Sequence, residues 1–244
     1  MCTLSWVFEH QDYRVYFNRD ESRERQTAIP PRVHKKQMGV EFIAPIDAEA
    51  GGSWIAVNQY GLSVCLLNYY QGSEPVDSAS KLTRGAIVIS LIGSMNFDEL
   101  EQRLNKLELT VFAGFTLVVF QKGAVKGWQW DGDTLQAIAP TPPLISSLLH
   151  KDVVLAKRKH YFERLPDLHP KTLEAFHSSH FENEVRQESG ELLAECSVCM
   201  HRDNAQTVSL SVIEVNSECV SMTYTQGSPC SSRADSPVVL MRCR

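Results

Sequence analysis

Residues 2–21 have the sequence CTLSWVFEHQDYRVYFNRDE, which contains two runs of alternating apolar and polar side chains. The runs cover residues 2–8 and 13–18, with a short turn between them. A period of two places successive side chains on opposite faces of a strand. The stretch therefore predicts a β-hairpin, and its far end, residues 18–21, returns to the side of Cys2.

Cys2 directly follows the initiator methionine, and methionine aminopeptidases remove Met1 when the next side chain is small. We expect this removal, which leaves Cys2 with both a thiol and a free α-amine. An α-amine has a reference pKa of about 8, so near neutral pH part of it is a base beside the thiol. N-terminal Thr and Cys hydrolases use this pairing. The alternative is a chance Met-Cys start.

Arg19 and Asp20 lie at the end of the hairpin, where strand pairing can bring them to Cys2. An Asp there can hydrogen-bond the α-amine, and an Arg can lower the pKa of the thiol. The alternative is a solvated charged run. Residues 19–37 are rich in charge and contain Pro30-Pro31, so they are predicted to form an exposed loop.

Turn signals and apolar patterning predict the remaining elements. Three helices are predicted. The first begins at Asn96, where Glu99 at the N3 position completes a variant of the capping box. The second covers residues 151–165, and the third runs from Pro170 through Phe176. Residues 71–80 are predicted to form a polar loop, and residues 180–192 are left unassigned. Further strands are predicted at 40–44, 53–58, 62–69, 86–92, 110–120, 125–130, 134–138, 196–200, 206–215, 219–225 and 238–242. Because strands group together instead of alternating with helices, the pattern predicts an α+β fold, which we expect to form one domain over residues 1–244.

Length and composition restrict the class of protein. The chain has 244 residues and a net charge of −5 with mixed signs, so no basic field favours nucleic acid. Its longest apolar runs are about half of the ~20 residues that a membrane span needs. The N-terminus lacks the features of a signal peptide. We therefore expect a cytoplasmic protein with no membrane span, in which the seven cysteines are mostly thiols. The oligomeric state is not indicated.

Several motifs occur in an order that resembles a known family. They are MCTLSW at the start, FNRDESR at residues 17–23, EAGGSWIAVNQYGLSVCLLNYY at 49–70, CMHRDNAQTVS at 199–209 and YTQGSPC at 224–230. Together they resemble the NRDE-motif family, which is related to transport and Golgi organisation protein 2. That family is similar in sequence pattern to N-terminal-nucleophile (Ntn) hydrolases of the choloylglycine type. The resemblance implies a four-layer αββα fold with two stacked, mainly antiparallel sheets.

The resemblance also implies a site that hydrolyses amides, because the choloylglycine type cleaves conjugated bile salts, penicillin V and acyl-homoserine lactones. Cys2 matches the nucleophile of those enzymes. Asn58 begins the matching N-x-x-G-L turn, and Asn68 falls on the Asn that helps to form the oxyanion hole. Arg202 is the best match for a late active-site Arg.

Two positions depart from the pattern of those hydrolases. Arg19 and Asp20 are adjacent here, whereas the hydrolases keep two residues between the corresponding Arg and Asp, so Asn18 or Glu21 is a candidate for one of the two roles. Ser146 stands in the stretch where the hydrolases have a further Asn. A serine hydroxyl can donate a hydrogen bond, but the change weakens the transfer of amidase activity.

The expected function is hydrolysis of the C–N bond of a small acylated substrate, without a cofactor or a metal. The alternative is a non-catalytic protein that handles or traffics haem or lipid on an Ntn-like fold, as members of the family resembling the Golgi-organisation protein have been linked to lipid homeostasis and haem handling. A Cys thiolate can ligate haem iron, so Cys2 suits both classes.

One cysteine motif, Cys196-x-x-Cys199-x-His201, suggests zinc. A structural zinc site needs four ligands, usually from two separated pairs, and no second CxxC or HxxxH pair follows. Cys219 and Cys230 are available but oddly spaced. Positions 196 and 199 would also face opposite sides of the predicted strand. We therefore expect no metal site here.

The histidine motif His177-x-x-His180, with His169 nearby, has no flanking Glu to complete a hydrolytic metal motif, so these residues are predicted to be surface histidines. Lys157-Arg158-Lys159 is predicted to be a solvated helix face.

Overall fold

Two antiparallel sheets form the centre of the computed structural model, which describes residues 1–35, 39–70, 81–180 and 193–243. The predicted loop at 71–80 and residues 181–192 lie outside these ranges. In chain order the strands are β1 (Cys2–Glu9), β2 (Asp12–Ser22), β3 (Ile29–Lys35), β4 (Glu41–Ile46), β5 (Ile55–Asn58), β6 (Ser63–Asn68), β7 (Phe115–Gln121), β8 (Ala124–Trp130), β9 (Leu135–Ile138), β10 (Leu144–Ser146), β11 (Ala205–Val215), β12 (Cys219–Gln226) and β13 (Val238–Met241).

The strands form a six-stranded sheet in the order β10-β1-β2-β11-β12-β13 and a seven-stranded sheet in the order β3-β4-β5-β6-β7-β8-β9. The helices are α1 (Gly85–Leu91), α2 (Phe97–Leu104), α3 (Lys151–Glu163) and α4 (Pro170–His177), with 3₁₀ turns at Leu109–Val111 and Ala194–Cys196. In the described part of the chain, no helix is long and apolar enough to cross a membrane.

Successive side chains of β2 point to opposite faces of the six-stranded sheet and so enter two different cores. Phe17 packs into the core between the two sheets with Leu4 and Phe120, whereas Tyr16 points the other way into the core under α3 and α4. A third core lies between the seven-stranded sheet and α1 and α2. The order of layers is therefore αββα, and the predicted α+β class with two stacked antiparallel sheets is confirmed.

The strand predicted at 86–92 is wrong, because these residues form helix α1. Ile87, Val88 and Leu91 are fully buried against the seven-stranded sheet. A short apolar run of β-branched residues has the same composition in a buried strand and in a buried helix, so periodicity alone cannot separate the two. The strand predicted at 196–200 is also wrong, since a 3₁₀ turn ends at Cys196 and the chain beyond it is irregular.

The exposed loop predicted at 19–37 is replaced in large part by strand. β2 continues through Ser22 because Arg19 and Asp20 pair on both sides, with the start of the chain and with β11. β3 lies at the edge of its sheet, and its register shifts between Ile29 and Arg32. Prolines are tolerated in edge strands and at bulges, which explains how Pro30 and Pro31 occur in a strand.

The surface position predicted for His177 is wrong, because α4 packs this side chain into the core. Its Nε2 lies 2.7 Å from Ser5 Oγ and its Nδ1 lies 3.1 Å from Asn18 Oδ1. The ring stacks on Tyr16 with centroids 5.7 Å apart. Burial, together with the charge of Arg158, lowers the pKa of His177 to about 3. The residue is therefore a neutral core histidine.

His177 should make the fold sensitive to acid. The unfolded chain takes up this proton below pH 6.5 and the folded chain only near pH 3, so the stabilisation is complete above 6.5 and is lost as the pH falls. Between pH 7 and pH 5 we expect a loss of about 2 kcal/mol in the free energy of unfolding from this group. Urea unfolding across this range should show a flatter pH dependence for His177→Gln, and no such flattening for the exposed control His160→Gln.

Candidate active site

Cys2 opens β1 at the point where three strands of the six-stranded sheet meet. Its Cα partners are Arg19 on β2 and Ser146 on β10. Met1 extends the same pairing, because its carbonyl accepts the Asp20 backbone N–H at 2.9 Å and its ammonium group donates to the Asp20 carbonyl at 3.3 Å. The predicted return of the hairpin to the N-terminus is therefore present in the structure.

A cleft of about 500 Å³ opens beside Cys2, between the ends of the two sheets. Cys2, Arg19, Asp20 and Asn68, all expected from the sequence, line it together. Further lining residues contribute charge and aromatic surface: Glu21, Arg25, Asp47, Trp54, Tyr70, Lys81 and Arg84.

Arg19 is fixed on one wall of this cleft by contacts on several sides. Its Nη2 donates to Asp47 Oδ2 at 2.5 Å, and its guanidinium carbon lies 4.4 Å from the centre of the Trp54 ring. Arg25 donates to the same carboxylate at 3.0 and 3.1 Å. Burial opposes ionisation of Asp47, but the hydrogen bonds from Arg25 and Ala50 and the charges of both arginines outweigh it and lower the pKa of Asp47. The role of Asp47 in holding Arg19 was not predicted.

Asp20 is buried, and its two carboxylate oxygens have different surroundings. Oδ1 accepts a hydrogen bond from Thr207 Oγ1 at 2.6 Å. Oδ2 has no hydrogen-bond partner among the described residues and lies 3.5 Å from Arg158 Nη2. Burial raises the pKa of the Asp20 carboxyl, and the charge of Arg158 only partly offsets this.

Arg158 corrects the solvated face predicted for residues 157–159, because its side chain is completely buried. Its Nη2 donates to the carbonyls of Glu195 and Ser197 at 2.8 and 2.6 Å. A signal for this burial exists in the sequence: Arg158 lies four residues after Val154 and four before Phe162, and all three face the sheet side of α3.

Arg202, expected as the late active-site arginine, is not brought to Cys2. It lies in the turn before β11, where its backbone carbonyl accepts a hydrogen bond from Arg23 Nε at 2.9 Å. In the described part of the chain, Arg202 is not one of the residues that line the cleft. The buried arginine beside Asp20 is Arg158 instead.

Asn68 ends β6 with its side chain in the cleft, as expected. Its Nδ2 donates to the Tyr70 hydroxyl at 2.9 Å. Burial raises the pKa of Tyr70 and lowers the pKa of Arg84, which lies on the same wall. Ser146 lies behind this wall, where it lines an adjoining cavity of about 180 Å³ with Asn68. Its Oγ is buried and has no hydrogen-bond partner in the described part of the chain.

The two supporting asparagines hold the fold together and do not line the cleft. Asn18 donates to the carbonyls of His177 and Val198 at 2.8 and 2.9 Å. Asn58 donates to the carbonyls of Ile92 and Ser94 at 2.8 and 2.7 Å. Both amides are therefore satisfied inside the protein.

The groups around the Cys2 thiol shift its pKa in opposite directions. Burial raises the pKa of the thiol, while the N-terminal ammonium, a hydrogen bond from the Asp20 backbone and the charge of Arg19 lower it. The carboxylate of Asp20 adds to the raising effect, and the net result is a raised pKa. In this form, with Met1 in place, the thiol is protonated near neutral pH and needs a base before it can act as a nucleophile.

Comparison of the sequence with protein-family models gave a match to Transport and Golgi organisation 2 over residues 1–138, more than half of the chain. The chain belongs to this family. The Transport and Golgi organisation 2 match contains Cys2, Arg19, Asp20 and Asn68, whereas Arg158 lies beyond it. A sequence search among curated proteins gave no significant match.

Comparison with solved structures places this member of the Transport and Golgi organisation 2 family in the Ntn-hydrolase fold. Penicillin V acylase from Agrobacterium tumefaciens matches with a TM-score of 0.54 and 12% identity, over 96% of this chain and 84% of that chain. A variant of conjugated bile acid hydrolase from Clostridium perfringens matches with a TM-score of 0.53 and 11% identity, over 99% of this chain and 97% of that chain. At this identity the similarity shows the fold alone.

Proposed function

We propose that this protein is an N-terminal-cysteine hydrolase that cleaves the amide C–N bond of a small acylated substrate. The observation that carries the proposal is the position of Cys2, at the start of β1 and on the wall of a cleft that also holds Arg19, Asp20 and Asn68. The similarity in fold to a penicillin V acylase and a conjugated bile acid hydrolase supports this reaction class.

Removal of Met1 is the first step of the proposal. It leaves Cys2 with a free α-amine beside its own thiol, which supplies the missing base. It also takes away the Met1 carbonyl that accepts the Asp20 backbone N–H. Oδ2 of Asp20 accepts no hydrogen bond from the described residues, so we assign it as the acceptor for the N–H groups of the new α-amine, before and after that amine takes the thiol proton.

In the reaction, the Cys2 sulfur attacks the carbonyl carbon of the substrate while the α-amine takes the thiol proton. The Asn68 amide donates a hydrogen bond to the oxyanion, and one such donor is typically worth about 100–1000-fold in rate. The C–N bond then breaks, and the leaving amine receives the proton from the α-ammonium. Water hydrolyses the resulting thioester, which releases a carboxylic acid and restores the thiol.

Arg19 is assigned the task of keeping positive charge near the developing thiolate. Its guanidinium group supplies the positive charge that stabilises a nearby thiolate. Asp47 and Trp54 fix the group from two sides, so it needs no rearrangement when the thiolate forms. Preorganised charge of this kind stabilises charge development at low cost in reorganisation.

The alternative, haem handling, finds less support in the lining of the cleft. The Cys2 thiol is a suitable axial ligand. The lining, however, contains many charged residues of both signs, whereas sites for flat apolar ligands are built mostly from apolar and aromatic walls. The charged residues of the lining are Arg19, Asp20, Glu21, Arg25, Asp47, Lys81 and Arg84. A Cys2-dependent Soret shift at micromolar haem would favour this alternative over the hydrolase.

Trapping of the acyl-enzyme tests the hydrolase proposal. The intact mass of the purified protein should show that Met1 is absent. Brief incubation with a panel of activated acyl donors, such as short-chain p-nitrophenyl esters and penicillin V, should add one acyl group, and peptide mapping should place it on Cys2. Cys243 is an exposed cysteine and serves as the internal control, which should stay unmodified. If no donor in the panel acylates Cys2, the proposed reaction is wrong.

A further inference from the structure

A second cluster of reactive side chains lies outside the cleft. His180, Cys199, His201 and Cys230 each offer one ligand atom, and these four atoms lie within 4.8 Å of one another. Cys199 is buried and His180 half-buried, while His201 and Cys230 are exposed. The cluster combines one residue from the discounted histidine motif, two from the discounted CxxCxH motif, and one distant cysteine.

Distances inside the cluster suit a single metal ion. His201 Nε2 lies 3.2 Å from Cys230 Sγ and 3.8 Å from Cys199 Sγ, so both sulfurs converge on one imidazole nitrogen. The rings of His180 and His201 have centroids 5.1 Å apart. Zn–S bonds of about 2.3 Å and Zn–N bonds of about 2.0 Å place neighbouring tetrahedral ligands roughly 3.3–3.8 Å apart. The observed spacing therefore needs only small adjustments to accept zinc.

The backbone brings the four residues together from three separate segments. The Cys199 N–H donates to the Ser179 carbonyl at 3.0 Å, which holds the first cysteine beside the residue before His180. His201 pairs with Gln206 in an isolated bridge. Cys230 lies in a turn that begins at Ser228. The Ser228 hydroxyl donates a hydrogen bond to the Thr207 carbonyl at 2.8 Å. The site is thus built by the segment after α4, the segment before β11 and the turn after β12.

We propose that His180, Cys199, His201 and Cys230 bind one Zn²⁺ ion in a structural site. Thiolate and imidazole ligands in a tetrahedral set favour zinc over the hard cations Mg²⁺ and Ca²⁺. Four protein ligands leave no open position for water or substrate, which is the mark of a structural site. Binding requires both thiols to lose their protons, which pass to the buffer as the two Zn–S bonds form.

Sequence spacing does not reveal this set of four residues, for two reasons. Cys196 is not part of the cluster, since it ends a 3₁₀ turn and packs in the core with Val154 and Leu193. The remaining ligands come from segments that sequence spacing does not connect. Zinc would tie these segments together directly behind Asp20: the Met200 N–H, between two ligands, donates to Thr207 Oγ1 at 2.8 Å, and that hydroxyl donates to Asp20.

Metal content of the full chain, purified without a polyhistidine tag and under reducing conditions, tests the proposal. Elemental analysis should find close to one zinc per chain. After zinc is removed by chelation, added Co²⁺ should give the intense visible spectrum of tetrahedral cobalt, with thiolate-to-cobalt charge transfer. Neither readout depends on hydrolase activity, so this test is independent of the proposed reaction.

Variants at exposed ligands make the test specific, since they leave the core intact. Cys230→Ser and His201→Ala should each weaken zinc binding at least about 100-fold, whereas Cys243→Ser, at an exposed cysteine outside the cluster, should bind as the wild type does. Absence of both bound zinc and the cobalt spectrum would overturn the proposal. So would wild-type affinity in Cys230→Ser, or an intact mass showing that the reduced-buffer protein carries a disulfide between Cys199 and Cys230.

Discussion

Replacement of Cys2 by alanine should abolish amide hydrolysis, with kcat/KM falling at least about 10⁴-fold. Alanine removes only the sulfur atom, and its small side chain still permits removal of Met1, so the α-amine and the cleft are kept. The reaction is then left without a nucleophile. Turnover of an acyl-amide panel by the mature wild type and by Cys2→Ala measures the loss, after intact mass has shown that both have lost Met1.

Two further variants serve as a comparison and as a control for Cys2→Ala. Asn68→Ala should lose about 100–1000-fold because it removes one oxyanion donor while the nucleophile remains. Cys243→Ala, at an exposed cysteine away from the cleft lining, should keep wild-type turnover. A Cys2→Ala protein that retains more than about 1% of the activity would place the nucleophile elsewhere.

Arg158→Met should lower the free energy of unfolding by about 3–5 kcal/mol, because it removes the guanidinium group that is paired with the buried Asp20 carboxylate. It also removes the donors to the carbonyls of Glu195 and Ser197. Lys159→Met is the matched control on the same helix. Its side chain is 61% exposed, so a change within about 0.5 kcal/mol is expected. Urea unfolding at pH 7 measures both.

A double-mutant cycle separates the ion pair from the loss of packing. Adding Asp20→Asn to Arg158→Met removes the stranded charge, so the double variant should recover about 1–3 kcal/mol relative to the sum of the single changes. A cycle without coupling, or a cost of Arg158→Met below about 1 kcal/mol, would show that Arg158 and Asp20 do not stabilise each other.

The parts of the fold that the sequence predicts are those in which local pattern and tertiary structure agree. The period of two in residues 2–18 gives the hairpin, and register then places Arg19 opposite Cys2. The N-cap at Asn96 also forms: its side chain accepts the Glu99 N–H at 2.9 Å, while the Glu99 carboxylate accepts the Met95 N–H at 2.8 Å. Asn68, the last residue of β6, also lines the cleft.

The rest depends on contacts between distant segments. The helix over residues 85–91 forms because it is buried on the seven-stranded sheet, which composition does not reveal. Arg158 looks solvated between two lysines, and only its four-residue spacing to Val154 and Phe162 indicates burial. The charge of Arg158 is compensated by Asp20, which lies 138 positions earlier in the chain.

Met1, paired with the backbone of Asp20, gives the proposed enzyme an unusual kind of zymogen. In the proposed scheme the group that masks the base is one residue, Met1, and an aminopeptidase of the cell would remove it, not the protein itself. Folded copies that keep Met1, or that are acetylated on it, would be silent, because the base is locked in a peptide bond. Such copies would coexist with active ones of nearly the same mass. Protein abundance would then overstate activity, and the fraction with a free Cys2 amine would be the quantity to measure.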